Sequence, residues 1–185
     1  MTLRTSFMSA SLFNKLSFIF AIIAMFCAWI SFCLPTWGYN NDSRSSGVMG
    51  YGLWRECGKG ALSSGCSDIS GTNLDWYGVV QAMASLGFIG VNLALVLVVL
   101  QIFVDKCKGA REIAFWNFVQ CVITAVCYLI AVIIFGSKYR SALRSNISDR
   151  PEFGYAFGLA VVALAINGIA VAVLQFMEGR SAAKS

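Results

Sequence analysis

The chain has 185 residues, 58% of them hydrophobic and only 12% charged, with a formal net charge of +5. Its mean hydropathy of +0.71 excludes an ordinary soluble domain, in which about a quarter of the residues carry charge. Histidine is absent, and no carboxylate pair, metal set or nucleophile–base arrangement stands out, so neither an enzyme, a bound cofactor nor a nucleic-acid partner is expected.

Four apolar runs organise the sequence: 16–34, 77–104, 113–135 and 155–177. Each is near or above the length of about 20 residues that crosses a hydrocarbon core, and none contains Asp, Glu, Lys or Arg. The first run exceeds the apolar stretch of about 7–15 residues usual in a secretory signal, and no cleavage site follows it before Pro35. It is therefore expected to remain as a span. The chain then forms a single four-span membrane domain over 1–185, with both termini on one side and loops at 35–76 and 136–154 on the other.

Basic residues should orient the spans, because cytoplasmic loops carry the excess. They divide evenly, seven to each side. Two other signals break the tie. Cys57 and Cys66 share the long loop, and an exposed pair is stable where disulfides persist, outside the cytosol. The two N-x-[S/T] sequons, at Asn41 and Asn146, also fall on the loop side, and Asn146 is the glycosylation candidate. The termini are then expected in the cytoplasm of a multi-pass plasma-membrane protein. Cys107, between Lys106 and Lys108, is a candidate for palmitoylation or an ordinary cytosolic thiol.

The polar residues within the runs are uncharged: Asn92, Gln101, Asn117, Gln120, Thr124 and Asn167. Such groups commonly hydrogen-bond between helices, at about 0.6 kcal/mol each. Gly154-x-x-x-Gly158 and the small residues of the second and fourth runs suit close helix packing, within the chain or between protomers. Trp37, Trp76, Tyr77, Trp116, Tyr139 and Tyr155 sit at run ends, where an aromatic belt would lie.

Within the long loop, residues 48–54 alternate apolar and aromatic side chains with glycine, which is a strand pattern. Gly58, Gly60 and Gly65 suit a hairpin turn between the cysteines. A Cys57–Cys66 disulfide would close a short loop and stabilise it by about 3 kcal/mol in the chain-entropy picture. The alternative, a metal half-site, has no second cysteine pair or histidine to complete it. Trp37 and Trp54 are expected to seat the sheet on the helix ends, rings buried and N–H groups near water.

Trp37, then Gly52-Leu53-Trp54, then Cys57 and Cys66 resemble the claudin superfamily, which also holds peripheral myelin proteins, epithelial membrane proteins and receptor auxiliary subunits. Gln81-Ala82 and Glu152-Phe153-Gly154 extend the resemblance, and a divergent claudin is the nearest likeness. The resemblance implies a left-handed four-helix bundle bearing a small extracellular antiparallel sheet, stapled by the disulfide, in the first loop. It implies cell–cell junctions, tight-junction adhesion and a paracellular barrier or pore, built by homo-oligomers in cis and trans or with other claudin-like proteins amid membrane lipids. It also assigns Asp68, just after Cys66, to pore selectivity, with Arg55, Glu56 and Lys59 as weaker candidates. The segment from Cys66 to the second span is short for a claudin, and the arginine that usually follows Gln-Ala-Ala is missing. The ending Ala-Lys-Ser lacks a PDZ-docking motif, so scaffold binding there is not expected. The second loop carries a net charge of +2, which would oppose the effect of Asp68 in a pore. An auxiliary subunit of a channel or receptor and a myelin-type adhesion protein are the competing readings.

Overall fold

The computed structural model describes residues 3–40, 49–58, 65–69, 75–142 and 151–182. Asn41, Lys59, Gly60 and Asn146 lie outside them. A short helix α1 (Leu3–Ser9) is followed by α2 (Leu12–Cys33), α3 (Asp75–Phe103) and α4 (Arg111–Ala142). The last helix is in two parts, α5 (Tyr155–Ala165) and α6 (Ala172–Ala182), joined by a wide π-type turn at Ile166–Val171. There the Ala172 N–H reaches back to the Asn167 carbonyl, five residues away, the hydrogen-bond spacing that defines such a turn.

Four helical segments are long and apolar enough to cross a membrane: Leu12–Cys33, Asp75–Phe103, Arg111–Tyr139 and Tyr155–Ala182. Their outward side chains, among them Ile89, Ile133 and Phe176, are exposed, as lipid-facing groups are when no bilayer is drawn around them. The third helix outruns its apolar stretch. It continues through Gly136 to Ala142, so Lys138 and Arg140 belong to a helix and not to the loop expected at 136–154. A lone glycine is tolerated inside a helix, and Tyr139 stacks on Phe135 one turn earlier at 4.9 Å.

The described residues fall into two compact units, and each of the four spans contributes a segment to both. The first unit comprises Met1–Phe26, Gly87–Val126 and Val162–Ser185. Its core is built from small side chains, Ala21, Ala94, Cys121, Val171 and Ala172, with Phe20, Leu95 and Phe118 packed around them. Small groups let helix backbones approach in a setting where lipid supplies no hydrophobic drive for association. The polar residues divide in their use. Asn117 donates to the Ala94 carbonyl of α3, and the Cys121 thiol lies between Asn117 and Asn167. Gln120 and Thr124 bond to each other along α4, and Asn92 donates to Phe88 on its own helix. Gln101 is buried without a partner among the described residues. Polar glue between helices thus comes from Asn117 and Asn167, and not from all six.

The second unit comprises Cys27–Leu86 and Cys127–Val161. It holds a five-stranded antiparallel sheet of β1 (Gly38–Asn40), β2 (Met49–Tyr51), β3 (Arg55–Gly58), β4 (Cys66–Asp68) and β5 (Pro151–Phe153). The spatial order is β4-β3-β2-β1-β5. The first loop supplies four strands, as its pattern suggests. The fifth comes from the second loop, pairing Gly38 with Phe153 and Tyr39 with Glu152. Residues 48–54 are not one strand: β2 ends at Tyr51, and the Gly52 N–H turns back to the Arg55 carbonyl at 2.9 Å.

Gly154, where β5 meets α5, donates its N–H to the Trp37 carbonyl at 2.9 Å. A Cβ on Gly154 would run into the backbone carbonyl of Thr36, whereas one on Gly158 would meet nothing within 4 Å. The Gly154-x-x-x-Gly158 pair is therefore not one packing face, because its two glycines have different surroundings. Gly154→Ala should lower thermal stability in detergent by about 1–3 kcal/mol through overpacking. Gly158→Ala should be neutral or stabilising by up to about 1 kcal/mol. Equal losses from both would contradict this geometry.

Candidate functional site

The paired polar and charged side chains of the second unit concentrate on the sheet, and helix residues beneath it hold that sheet in place. Trp37 is fully buried. Its ring packs edge-on against Phe135 and Phe157, with centroids 5.2 and 5.8 Å away, and its indole N–H donates to the Ser31 carbonyl at 2.8 Å. That bond replaces the contact with water expected from the sequence, since no water reaches a fully enclosed ring. Trp54 also departs from expectation. It is 40% exposed and touches Phe32 edge-on at 5.4 Å. Leu53, at 1% exposure, is the member of Gly52-Leu53-Trp54 whose apolar side chain is enclosed.

Two side chains of α3 fix this turn. The Tyr77 hydroxyl donates to the Gly52 carbonyl. Gln81 Nε2 donates to the carbonyls of Leu53 at 2.7 Å and Ile69 at 3.2 Å, joining the β2–β3 turn to the chain leaving β4. Gly52 itself packs against the Pro35 backbone, where a Cβ would collide. Tyr77 and Tyr139 are buried at 4% and 1% exposure and so serve the core of this unit, while Trp116 and Tyr155, at 64% and 62%, keep the exposure of belt residues.

Cys57 and Cys66 are bonded to each other, with Cα atoms 4.1 Å apart. They are directly opposite in the β3–β4 pair, as are Arg55 with Asp68 and Glu56 with Ser67. Because side chains alternate along a strand, the disulfide shares one face with the Arg55–Asp68 pair. The bond consumes both thiols, which removes the metal half-site alternative. Arg55 Nε lies 3.2 Å from Asp68 Oδ1, and on the other face Ser67 donates to Glu56 at 2.9 Å. Asp68 is thus exposed but paired, which the sequence did not foretell. Tyr39 donates to Glu152 across β1 and β5 at 2.8 Å, and that bond raises the phenol above its ordinary value. Cys107 is half-buried in a single 3₁₀ turn (Asp105–Cys107), in which Lys108 pairs with Asp105 at 2.7 Å and holds that carboxyl below its usual range.

A second polar group, in the first unit, lies at the edges of the apolar runs. Glu178 of α6 is buried, accepting from the Ser11 hydroxyl at 2.5 Å and from Asn14 Nδ2 at 3.0 Å. Asn14 Oδ1 in turn accepts from Gln175 Nε2 at 3.2 Å. Sequence reading missed this chain because Ser11, Asn14 and Glu178 flank the runs and look like ordinary loop polarity.

A sheet drawn from both loops, stapled across β3–β4 and seated on apolar spanning helices, defines a multi-pass membrane protein of the claudin-like class. A model of the PMP-22/EMP/MP20/Claudin family matches residues 8–174, and the chain belongs to that family. It is similar to epithelial membrane protein 1 of Oryctolagus cuniculus, being 33% identical over 120 residues that cover 65% of this chain and 69% of that protein.

Burial ranks the two tryptophans. Trp37→Ala should cost about 3–5 kcal/mol, the range for emptying a large aromatic site, and reduce the amount of folded protein at the membrane. Trp54→Ala should cost less than half as much in the same thermal-unfolding comparison. A reversed order would overturn the seating described here.

Proposed function

We propose that this protein is a cell-surface contact protein, with both termini in the cytoplasm, whose extracellular sheet meets copies of itself at cell–cell junctions. The observation that carries the reading is the antiparallel β3–β4 strand pair. It is stapled by Cys57–Cys66, anchored from beneath by Leu53 and Gln81, and presents Arg55, Ser67 and Asp68 outward. A preorganised polar surface binds with little ordering cost, and oxidised cysteines in the first loop suit an extracellular side.

Within that reading a barrier is favoured over an ion-selective pore. Asp68 is the selectivity candidate, yet Arg55 stands 3.2 Å away and offsets its field. The pair is solvent-exposed on both sides, so it contributes little stability and acts on the local potential instead. The likeness to an epithelial membrane protein supports a second reading, a membrane-adhesion protein of the myelin and epithelial-membrane group that need not seal anything.

The test expresses a tagged chain in cells that lack junctions, mixed with non-expressing neighbours. Enrichment at borders between two expressing cells, and its loss in Cys57→Ser/Cys66→Ser, is the expected result. Uniform surface staining would sink self-adhesion and turn attention to partners of other sequence. In monolayers that do form contacts, resistance should rise, and removing both charges together in Arg55→Gln/Asp68→Asn should change the cation-to-anion permeability ratio by less than about twofold, because the pair as a whole is close to neutral. A larger change would restore the pore assignment.

A further inference from the structure

Between the start of α4 and the end of α6, within the first unit, lies a cavity of about 290 Å³. Phe115, Phe118 and Phe176 form its apolar wall, and Arg111 and Arg180 stand at its polar end. The Arg180 guanidinium sits 5.7 Å from the Phe176 ring centre, a cation–π distance that keeps the charge at the wall. Both arginines are exposed, while Gln175, at 0% exposure, closes the cavity from inside.

The orientation of Gln175 follows from its neighbours. The Glu178 carboxylate accepts from Asn14 Nδ2, so Asn14 presents its oxygen to Gln175, and Gln175 must answer with Nε2. Its Oε1 is left buried without a partner among the described residues. Buried acceptors are rarely left unpaired, and an unmade bond of this kind costs about 1–3 kcal/mol. The cavity offers two positive charges and an aromatic wall, with the unanswered Oε1 of Gln175 buried behind its lining. We propose that it binds the headgroup of an anionic glycerophospholipid from the adjacent leaflet. The phosphate lies between Arg111 and Arg180, and the acyl chains run along exposed Phe115 and Phe176.

Three features favour a lipid over a soluble anion. The polar end belongs to residues at the limits of two spans, where headgroups lie. The wall beside it is aromatic and faces outward. Among the described residues of this unit, six basic side chains stand against three acidic ones, a bias that draws anionic lipid at about 1 kcal/mol per basic group near the surface. The one buried carboxylate, Glu178, is occupied by Ser11 and Asn14 and does not line the cavity.

The test uses the purified full chain in neutral detergent, titrated with eight-carbon phosphatidylserine and followed by thermal shift. Phosphatidylcholine of the same length, O-phosphoserine and inorganic phosphate run in parallel. Saturable stabilisation by phosphatidylserine alone is expected, weakened roughly fivefold by Arg111→Gln and again by Arg180→Gln. Gly179 also lines the cavity, and a Cβ there would meet Ala114 at an ordinary 3.7 Å. Gly179→Leu should thus fill the space and abolish the shift with both guanidinium groups in place. Arg4→Gln, remote in sequence and not part of the lining, should bind as the parent does. If Gly179→Leu does not fold, the two glutamine variants decide. An equal response to phosphatidylcholine, or parent-like binding by both glutamine variants, overturns the site. An equal response to O-phosphoserine or phosphate overturns the lipid and leaves a soluble anion.

Discussion

Burial of Trp37 is the constraint on which the loop-side architecture rests. The residue follows the first span by only a few positions, and its ring lies between Phe135 of α4 and Phe157 of α5. A fully enclosed indole needs a partner for its N–H, and the Ser31 carbonyl near the end of α2 provides it. The Trp37 carbonyl accepts from the Gly154 N–H, which brings the start of the last span beside the start of the first loop. One side chain and its backbone thereby tie three spans together and set β1 against β5. Emptying this position removes a large apolar volume and leaves the Ser31 carbonyl without its donor, so no smaller residue can replace it neutrally.

The sheet that results is small, and few of its own side chains are buried. Its stability comes from elsewhere: the disulfide across β3–β4, the enclosed side chain of Leu53, and the two hydrogen bonds of Gln81. This division explains why the outer surface is free to be polar. Residues that would otherwise have to form a core can instead carry the Arg55–Asp68 and Glu56–Ser67 pairs.

The first unit solves a different problem. Its core is made of alanine, cysteine and valine packed at close range, with uncharged amides where hydrogen bonds cross between helices. The Ser11–Glu178–Asn14–Gln175 chain departs from this economy, placing a buried carboxylate where α2 and α6 meet. It also fixes which end of Gln175 faces Asn14, beside the arginine-bearing cavity.

The spans, the strand-forming loop and the cysteine pairing were legible because each is written locally. Apolar length, alternation with glycine and the Cys57–Cys66 spacing need only neighbouring residues to be recognised, and Gln81-Ala82 was visible as a family likeness before its role as a clamp was known. Burial was not legible. Trp37 and Trp54 are the same residue type in the same loop, yet one is enclosed and the other is 40% exposed, since Trp37 meets Phe135 and Phe157 of distant helices and Trp54 meets Phe32 at the end of α2. For the same reason β5 could not be read from Pro151–Phe153, whose pairing partner lies in the other loop. Nor could the neutralisation of Asp68 by Arg55, which follows from strand register. What the residues specify by themselves is which segments enter the membrane and which loop is stapled. Which side chains are enclosed, paired or left exposed was decided only when distant segments met, because burial and electrostatic pairing are properties of contacts and not of sequence position.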